Sequence, residues 1–265
     1  MAESSIQNFN HLKIHTQYSI CEGAVKIDDL QDFSKSNKIK SLALCDTSNL
    51  CGALEFAEKI SKVGTQPIIG TQINFKFGDT VGLLPLFSLN EEGYKRIIKL
   101  SSLSFLENDE LSDPHVDFKN LLENNEGVAI FSGTIFGLFG ELFNKGKFSE
   151  IHDLYKKLHS TFGDRFYFEI QRHNDQNELG FEKFNLNKSL ELKIPIIATN
   201  EVFYIDQDMH EAHDALICIG NKTYVNEKNR LKFSNQHYFK NNSEMSELFA
   251  DLPEACLLYT SDAAD

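Results

Sequence analysis

The stretch SLALCDTSNLCGALEFAEKISKV, residues 41–63, contains the pattern from which the fold is predicted. Its first part, SLALCD (41–46), is a short and mostly apolar run, which is typical of a strand buried on both faces. Its second part, residues 49–63, has apolar residues at helical spacing: Leu50, Leu54, Ala57 and Ile60. A buried strand followed directly by an amphipathic helix is the repeating unit of a parallel β-sheet.

The same unit recurs along the chain. The predicted strands are HLKIH (11–15), SLALCD (41–46), PIIGTQINF (67–75), GLLPLFSL (82–89), GVAIFSG (127–133), RFYFEIQ (165–171) and IPIIATN (194–200). Helical patterns lie between most of them, at 27–38, 49–63, 90–106, 148–162 and 177–193. Strands that alternate with helices predict a parallel sheet, and about 250 residues is the usual size of a closed barrel of this kind. We therefore predict one α/β domain built as a TIM-like barrel.

The composition excludes several classes of protein. The chain has 265 residues, of which 41% are hydrophobic, so it can form a substantial core. Its net charge of −13 disfavours a free-standing nucleic-acid-binding protein, which normally has a basic face. Five cysteines without a CxxC pair argue against a zinc ribbon or a disulfide framework. We see no signal peptide and no membrane-spanning run, and we expect a cytoplasmic location without membrane contact.

Polar residues stand where the predicted strands end. In barrels of parallel strands, the chemistry lies at the carboxyl ends of the strands. The residues at those ends are His15, Asp46, Gln72, Thr134, His173, Asn200 and Glu201. We expect them to meet at one rim of the barrel and to form the candidate site.

The first predicted strand raises a question about metal binding. His11, Lys13 and His15 alternate along HLKIH, so their side chains point to one face of the strand. Two histidines on one face suggest a metal site, yet a lysine ammonium between them repels cations. We interpret His11 as a hydrogen-bonded structural residue.

The remaining histidines and two of the five cysteines are interpreted as packing or surface residues. They are His115, His152, His159, His210, His213, His237, Cys45 and Cys51. His210 and His213 share a helical face, but no third ligand is close in sequence. No glycine-rich phosphate loop is present, which disfavours a generic sugar-phosphate barrel enzyme.

Several motifs in a fixed order resemble one known family. They are NFNHLKIHTQYSICEGAVKIDDL (8–30), ALCDTSNLCGALEFAEK (43–59), QPIIGTQINF (66–75), FYFEIQRHND (166–175), IPIIATNEVFYID (194–206), EAHDALICIGN (211–221) and LFADLPEA (248–255). Together they resemble the N-terminal PHP (polymerase and histidinol phosphatase) domain of bacterial DNA polymerase III alpha subunits. The resemblance implies a PHP-type distorted (β/α)7 TIM-like barrel over residues 9–255. Residues 1–8 are then an N-terminal extension, and residues 256–265 form a tail that does not match the family and is expected to be disordered or foreign.

The resemblance also implies where metal ligands would lie. Metal-bearing members of the family hold up to three divalent ions with His, Asp, Glu and Cys side chains, which activate water for phosphoester hydrolysis. This chain retains His15, Asp46 and His173, with Glu201 as a conservative replacement. The family ligand has been lost at five further positions, which here are Lys13, Thr47, Gln72, Thr134 and Phe203.

We therefore expect a vestigial pocket with no catalytic residues, no bound cofactor and no metal. The alternative is one weakly bound Zn or Mn ion. We further expect the ammonium of Lys13 to lie where the ions would be and to neutralise Asp46 and Glu201, which would otherwise repel each other.

The resemblance implies a structural and subunit-interaction role in DNA replication. The expected partners are the palm and thumb of the intact polymerase and the proofreading exonuclease subunit, with DNA contacted only through the full-length protein. The parent would be a DNA-directed DNA polymerase, a nucleotidyltransferase, but the palm that catalyses this reaction lies outside the sequence. The alternative function is that of a metal-dependent phosphoesterase or 3′–5′ exonuclease of the PHP family.

Overall fold

The computed structural model describes residues 9–108 and 112–257, with only the backbone of Leu257. The strands are β1 (Lys13–Ile14), β2 (Ser41–Thr47), β3 (Gln66–Phe77), β4 (Thr80–Ser88), β5 (Val116–Asp117), β6 (Val128–Phe131), β7 (Phe166–Ile170), β8 (Ile196–Ala198) and β9 (Glu201–Val202). The helices are α1 (Ile27–Asn37), α2 (Ala53–Lys62), α3 (Glu91–Leu106), α4 (Phe118–Glu123), α5 (Leu138–Asn144), α6 (Phe148–Phe162), α7 (Glu178–Leu192), α8 (His210–Gly220), α9 (Asn242–Leu248) and α10 (Glu254–Leu257). None of the described helices is long and apolar enough to cross a membrane.

The strands form one curled sheet in the order β8-β7-β6-β4-β3-β2-β1-β9, with β5 attached to β3. Strands β8 and β9 are at opposite ends of this order, yet only Thr199 and Asn200 separate them in the chain. Because each residue spans at most about 3.6 Å, the two ends of the sheet must lie close together. The sheet therefore curls into the predicted TIM-like α/β barrel.

One prediction about the sheet was wrong: its strands are not all parallel. Strand β4 runs antiparallel to both β3 and β6, while the other strand pairs are parallel. Strands β3 and β4 are joined directly by Gly78 and Asp79 rather than by a helix. Gly78 has a φ of 58°, which a two-residue hairpin turn requires and glycine adopts without strain. The sequence KFGDT (76–80) contains the Gly-Asp pair that is typical of such a turn. The sequence analysis missed it because it relied on the alternation of strands and helices.

Apolar side chains fill both sides of the sheet. The barrel interior contains Leu12, Ala43, Cys45, Phe87, Ala129, Phe131 and Ile197. Helix α2 packs on the outside through Ala53, Phe56 and Ile60, whereas Leu54 is 72% exposed. The predicted buried face of this helix was therefore wrong at Leu54.

The limits of the predicted domain fall partly outside the described residues. The predicted extension 1–8 and residues 258–265 of the predicted tail lie there. Cys256, the first residue of that tail, is in α10 and is buried in the main core cluster.

Candidate functional site

Lys13 lies at the seam where the sheet closes. In β1, Ile14 packs with the core between sheet and helices, and Lys13 lines the interior of the barrel mouth. Lys13 is directly opposite Glu201 in the parallel pair β1–β9. Its Nζ lies 2.9 Å from Glu201 Oε1, and both side chains are at most 5% exposed. A buried ion pair thus joins the two strands of the seam.

Glu169 is a second carboxylate beside Lys13, and the sequence analysis missed it. Its Oε1 lies 3.6 Å from Lys13 Nζ and accepts hydrogen bonds from Thr199 (2.5 Å) and Gln171 (3.0 Å). A signal was present, because Glu169 alternates with Phe168 and Ile170 in β7 and must face the barrel interior.

Burial and neighbouring charges shift the pKa values of the three ionisable side chains in this cluster. Burial alone would lower the pKa of Lys13, but Glu169 and Glu201 outweigh burial and raise the pKa above its usual value. Burial would raise the pKa of Glu201, yet Lys13 and His15 hold that pKa well below its usual value. Burial raises the pKa of the more distant Glu169. Both carboxylates therefore favour the charged form of Lys13, and Glu201 is the one in direct contact with its ammonium.

Asp46 is buried in the site, but the expectation that Lys13 neutralises it was wrong. Its Oδ1 accepts hydrogen bonds from Thr16 N (2.6 Å) and Ser19 Oγ (2.7 Å), and its Oδ2 accepts one from Thr16 Oγ1 (2.8 Å). Burial raises the pKa of Asp46, and these hydrogen bonds partly offset that effect. Asp46 thus fixes the loop that follows β1.

His15 connects the two parts of the site. Its Nε2 lies 3.2 Å from Glu201 Oε1, and its Nδ1 lies 3.5 Å from Ser19 Oγ. Its ring packs on Phe203 with centroids 4.7 Å apart. Glu201 therefore contacts both Lys13 and His15 through the same oxygen.

The other positions of the predicted site lie around the same mouth. Thr47 donates a hydrogen bond to Glu22 and accepts one from Gln72 Nε2 at 2.9 Å. Gln72, Thr134 and Phe203 line a cavity of about 30 Å³ together with Lys13 and Glu201. Pockets that bind small molecules usually have about 300–1,000 Å³. The side chains at the mouth thus leave little free space.

His173 is also buried at this rim, stacked on His237. The two rings are 4.0 Å apart and inclined by only 8°. His173 Nε2 accepts a hydrogen bond from Glu201 N at 3.2 Å. His237 contacts Glu201 O (3.1 Å) and Asp175 Oδ2 (3.0 Å), so His237 belongs to the site, which the sequence analysis did not predict.

His173, Asp175 and His237 offer ligand atoms that all lie within 4.8 Å of one another, so their fit to a metal needs testing. An imidazole lone pair lies in the ring plane, and a Zn–N bond is about 2.0–2.1 Å long. Two nearly parallel rings 4.0 Å apart direct their lone pairs along parallel planes rather than to one ion. This arrangement fits a hydrogen-bonded stack better than a chelate.

The wider donor set also fits a multi-ion centre poorly. Divalent ions need several converging carboxylate or imidazole donors. Here an ammonium contacts Glu201, and the Asp46 oxygens accept hydrogen bonds from the loop that follows β1. Phe203 contributes only an apolar ring to the mouth. This arrangement supports no metal-dependent step.

Replacing Lys13 by methionine should leave a buried, unpaired carboxylate and lower the free energy of unfolding by roughly 3–5 kcal/mol. Chemical denaturation measures this loss. The double variant Lys13→Met/Glu201→Gln removes both charges and should recover part of the stability. Wild-type stability for Lys13→Met alone would mean that the ion pair does not support the fold.

Two buried histidines that lie away from the ion pair of Lys13 and Glu201 should make the stability of the fold depend on pH. The Nε2 atoms of His11 and His213 lie 2.8 Å from the backbone oxygens of Lys240 and Glu22, respectively. Burial lowers the pKa of His11 to about 3 and that of His213 to about 4. The hydrogen bond predicted for His11 is confirmed.

Below pH 6.5 the unfolded chain binds protons at these two histidines that the folded chain does not bind. Stability should therefore fall as the pH decreases from about 6.5 towards 4, by about 2 kcal/mol per histidine at pH 5. Denaturation curves of wild type and of His11→Gln at pH 7 and 5 measure the effect. The variant should lose less stability over this interval, and an equal loss would contradict the assignment.

Comparison with known proteins identifies the family. The sequence model of the PHP domain matches residues 11–173. The DNA polymerase III subunit alpha of Caulobacter vibrioides is 36% identical over 264 residues, which cover 97% of this chain and 23% of the relative. The subunit of the same name from Rickettsia felis is 38% identical over 248 residues, covering 93% of this chain and 20% of the relative. The chain thus spans less than a quarter of these relatives.

Among solved structures, an amidohydrolase from Chromobacterium violaceum superposes with a TM-score of 0.49 and 9% identity, covering 73% of this chain and 87% of the other. A putative metal-dependent phosphoesterase from Bifidobacterium adolescentis has a TM-score of 0.41 and 12% identity, covering 74% and 87%. The match to the family's sequence model covers more than half of the chain, and the chain belongs to the PHP domain family.

Proposed function

We propose that this chain is the N-terminal PHP domain of a DNA polymerase III alpha subunit and that it acts as a structural and interaction module without a catalytic metal centre. The contact between Lys13 Nζ and Glu201 Oε1 carries this proposal, because it puts a fixed positive charge at the barrel mouth. The identity to two alpha subunits over at least 93% of the chain supports the placement within such a protein. The domain is proposed to comprise residues 9–255.

The proposed role follows from what the mouth can do chemically. Metal-assisted hydrolysis needs an ion with an open coordination position and space for the substrate. The lysine-centred cluster provides neither, whereas its buried charges and stacked rings rigidify the closing strands. A rigid barrel suits a domain that braces the palm and thumb of a polymerase and binds its proofreading exonuclease subunit. DNA synthesis itself would belong to the palm of the longer protein.

The alternative is a metal-dependent phosphoesterase or 3′–5′ exonuclease with one residual Zn or Mn ion. It is favoured by the burial of His15, Asp46, His173 and Glu201 around one mouth. These four donors make the alternative specific enough to test.

Elemental analysis of the chain purified from Zn- and Mn-supplemented medium should find well below one ion per chain. Added Zn or Mn should not raise the melting temperature, because an ion that binds only the folded state at 100 times its Kd would add about 2.7 kcal/mol of stability. Hydrolysis of p-nitrophenyl phosphate should stay at the level of the buffer. A stoichiometric ion together with hydrolysis would establish the alternative function.

The interaction role makes a separate prediction. Calorimetric titration of the chain with the proofreading exonuclease subunit of the same bacterium should show one-to-one binding. The affinity should be the same in chelator and in Zn-containing buffer, because the proposed docking uses no ion. Absence of binding would contradict this role even if the metal analysis were negative.

A further inference from the structure

We propose that residues 221–232, here called the basic arm, bind the phosphate backbone of single-stranded DNA. The arm, NKTYVNEKNRLK, lies in the connection between α8 and α9, which runs over residues 221–241 without a helix or strand. Connections of this length without secondary structure are uncommon in compact domains and are usually either functional segments or linkers.

The charge of the arm is opposite to that of the chain. The chain has 39 acidic and 26 basic residues, but the arm has four basic residues and a single acidic one, Glu227. Lys222, Lys228 and Lys232 are exposed, and within residues 9–108 and 112–257 none of them lies within ion-pair distance of a carboxylate. By contrast, Lys59 and Lys95 pair with glutamates on their own helices. The arm therefore presents three exposed lysines without an ion-pair partner among the described residues, beside one acidic residue, Glu227.

Hydrogen bonds of Arg230 hold the arm in a defined conformation. Arg230 binds both carboxylate oxygens of Asp214 in α8, at 2.6 and 2.7 Å. The same guanidinium donates hydrogen bonds to the backbone oxygens of Val225 (3.0 Å) and Leu231 (3.2 Å). Arg230 thus curls the arm around itself and leaves the lysines as the charges available to a ligand.

Glu227, the acidic residue of the arm, forms part of a turn with Tyr224, whose aromatic ring is exposed. Tyr224 N donates to Glu227 Oε1, and Glu227 N donates to Tyr224 O, both at 3.0 Å. The side chain of Glu227 is therefore committed to the turn. Tyr224 is 73% exposed, and aromatic rings beside lysines are the usual platform on which single-stranded bases stack.

The arm leaves the barrel beside the candidate site. Phe233, directly after the arm, is buried against Phe203 with ring centroids 4.9 Å apart. A strand bound by the arm would run past the rim of the barrel without entering its filled mouth.

The overall negative charge does not prevent such a contact. At physiological salt the Debye length is about 8 Å, so a phosphate at the arm interacts mainly with the nearest charges. The choice of DNA rather than an acidic protein as the ligand rests on the proposed function, which places the chain in a DNA polymerase.

Fluorescence anisotropy of a labelled 20-nucleotide single strand, titrated with the whole chain, tests the proposal. Three phosphate contacts predict a salt slope of about −2, so the association constant should fall about 20-fold between 50 and 200 mM salt. The variant Lys222→Glu/Lys228→Glu/Lys232→Glu should lose at least tenfold in affinity at 50 mM salt.

The control variant Lys95→Glu/Lys119→Glu/Lys147→Glu changes the net charge equally at lysines outside the arm, in α3, in α4 and directly before α6, and should retain most of the affinity. An equal loss in both variants, no binding by the wild type at low salt, or equal binding of poly-glutamate would overturn the proposal. Tighter binding of a duplex than of the single strand would overturn the stacking role of Tyr224, which Tyr224→Ala tests directly. None of these outcomes depends on the ion pair of Lys13.

Discussion

The ion pair between Lys13 and Glu201 is the interaction on which the rest of the site depends. A charge transferred from water into a protein interior needs a partner of opposite sign, or the fold loses several kcal/mol. Here the partners lie opposite each other on β1 and β9, the strands that close the sheet. The same contact therefore neutralises a buried charge and fixes the register of the seam. His15 and Glu169 extend it into a network that spans the barrel mouth.

The network also explains how the positions predicted to have lost a metal ligand are compatible with a stable fold. Removing a metal from a cluster of acids and histidines would leave repelling charges and unpaired polar atoms. In this chain Asp46 obtains its hydrogen bonds from Thr16 and Ser19. Phe203 provides a ring against which His15 and His237 pack. The buried polar groups at the barrel mouth consequently find most of their partners among neighbouring side chains, although among the described residues Glu169 Oε2 has no hydrogen-bond partner.

Local sequence patterns predicted most of the elements and the rim on which the polar residues meet. Alternating strands and helices gave the α/β class, and strand ends located His15, Asp46, His173 and Glu201. The antiparallel direction of β4 escaped prediction because direction depends on how strands are connected, and here a two-residue turn replaces a helix. The exposed position of Leu54 has a similar cause, since the start of α2 at Ala53 determines which face is buried.

The partners within the site were harder to predict than its members. Glu169 and His237 are far in sequence from Lys13 and His173, and only the curling of the sheet brings them together.

Anomalous diffraction from crystals soaked in Zn and Mn salts tests the central claim most directly. The account predicts no anomalous peak among His15, Asp46, His173 and Glu201, with Lys13 Nζ within hydrogen-bond distance of Glu201. Two or three peaks at these side chains, with the Lys13 ammonium turned away, would contradict it.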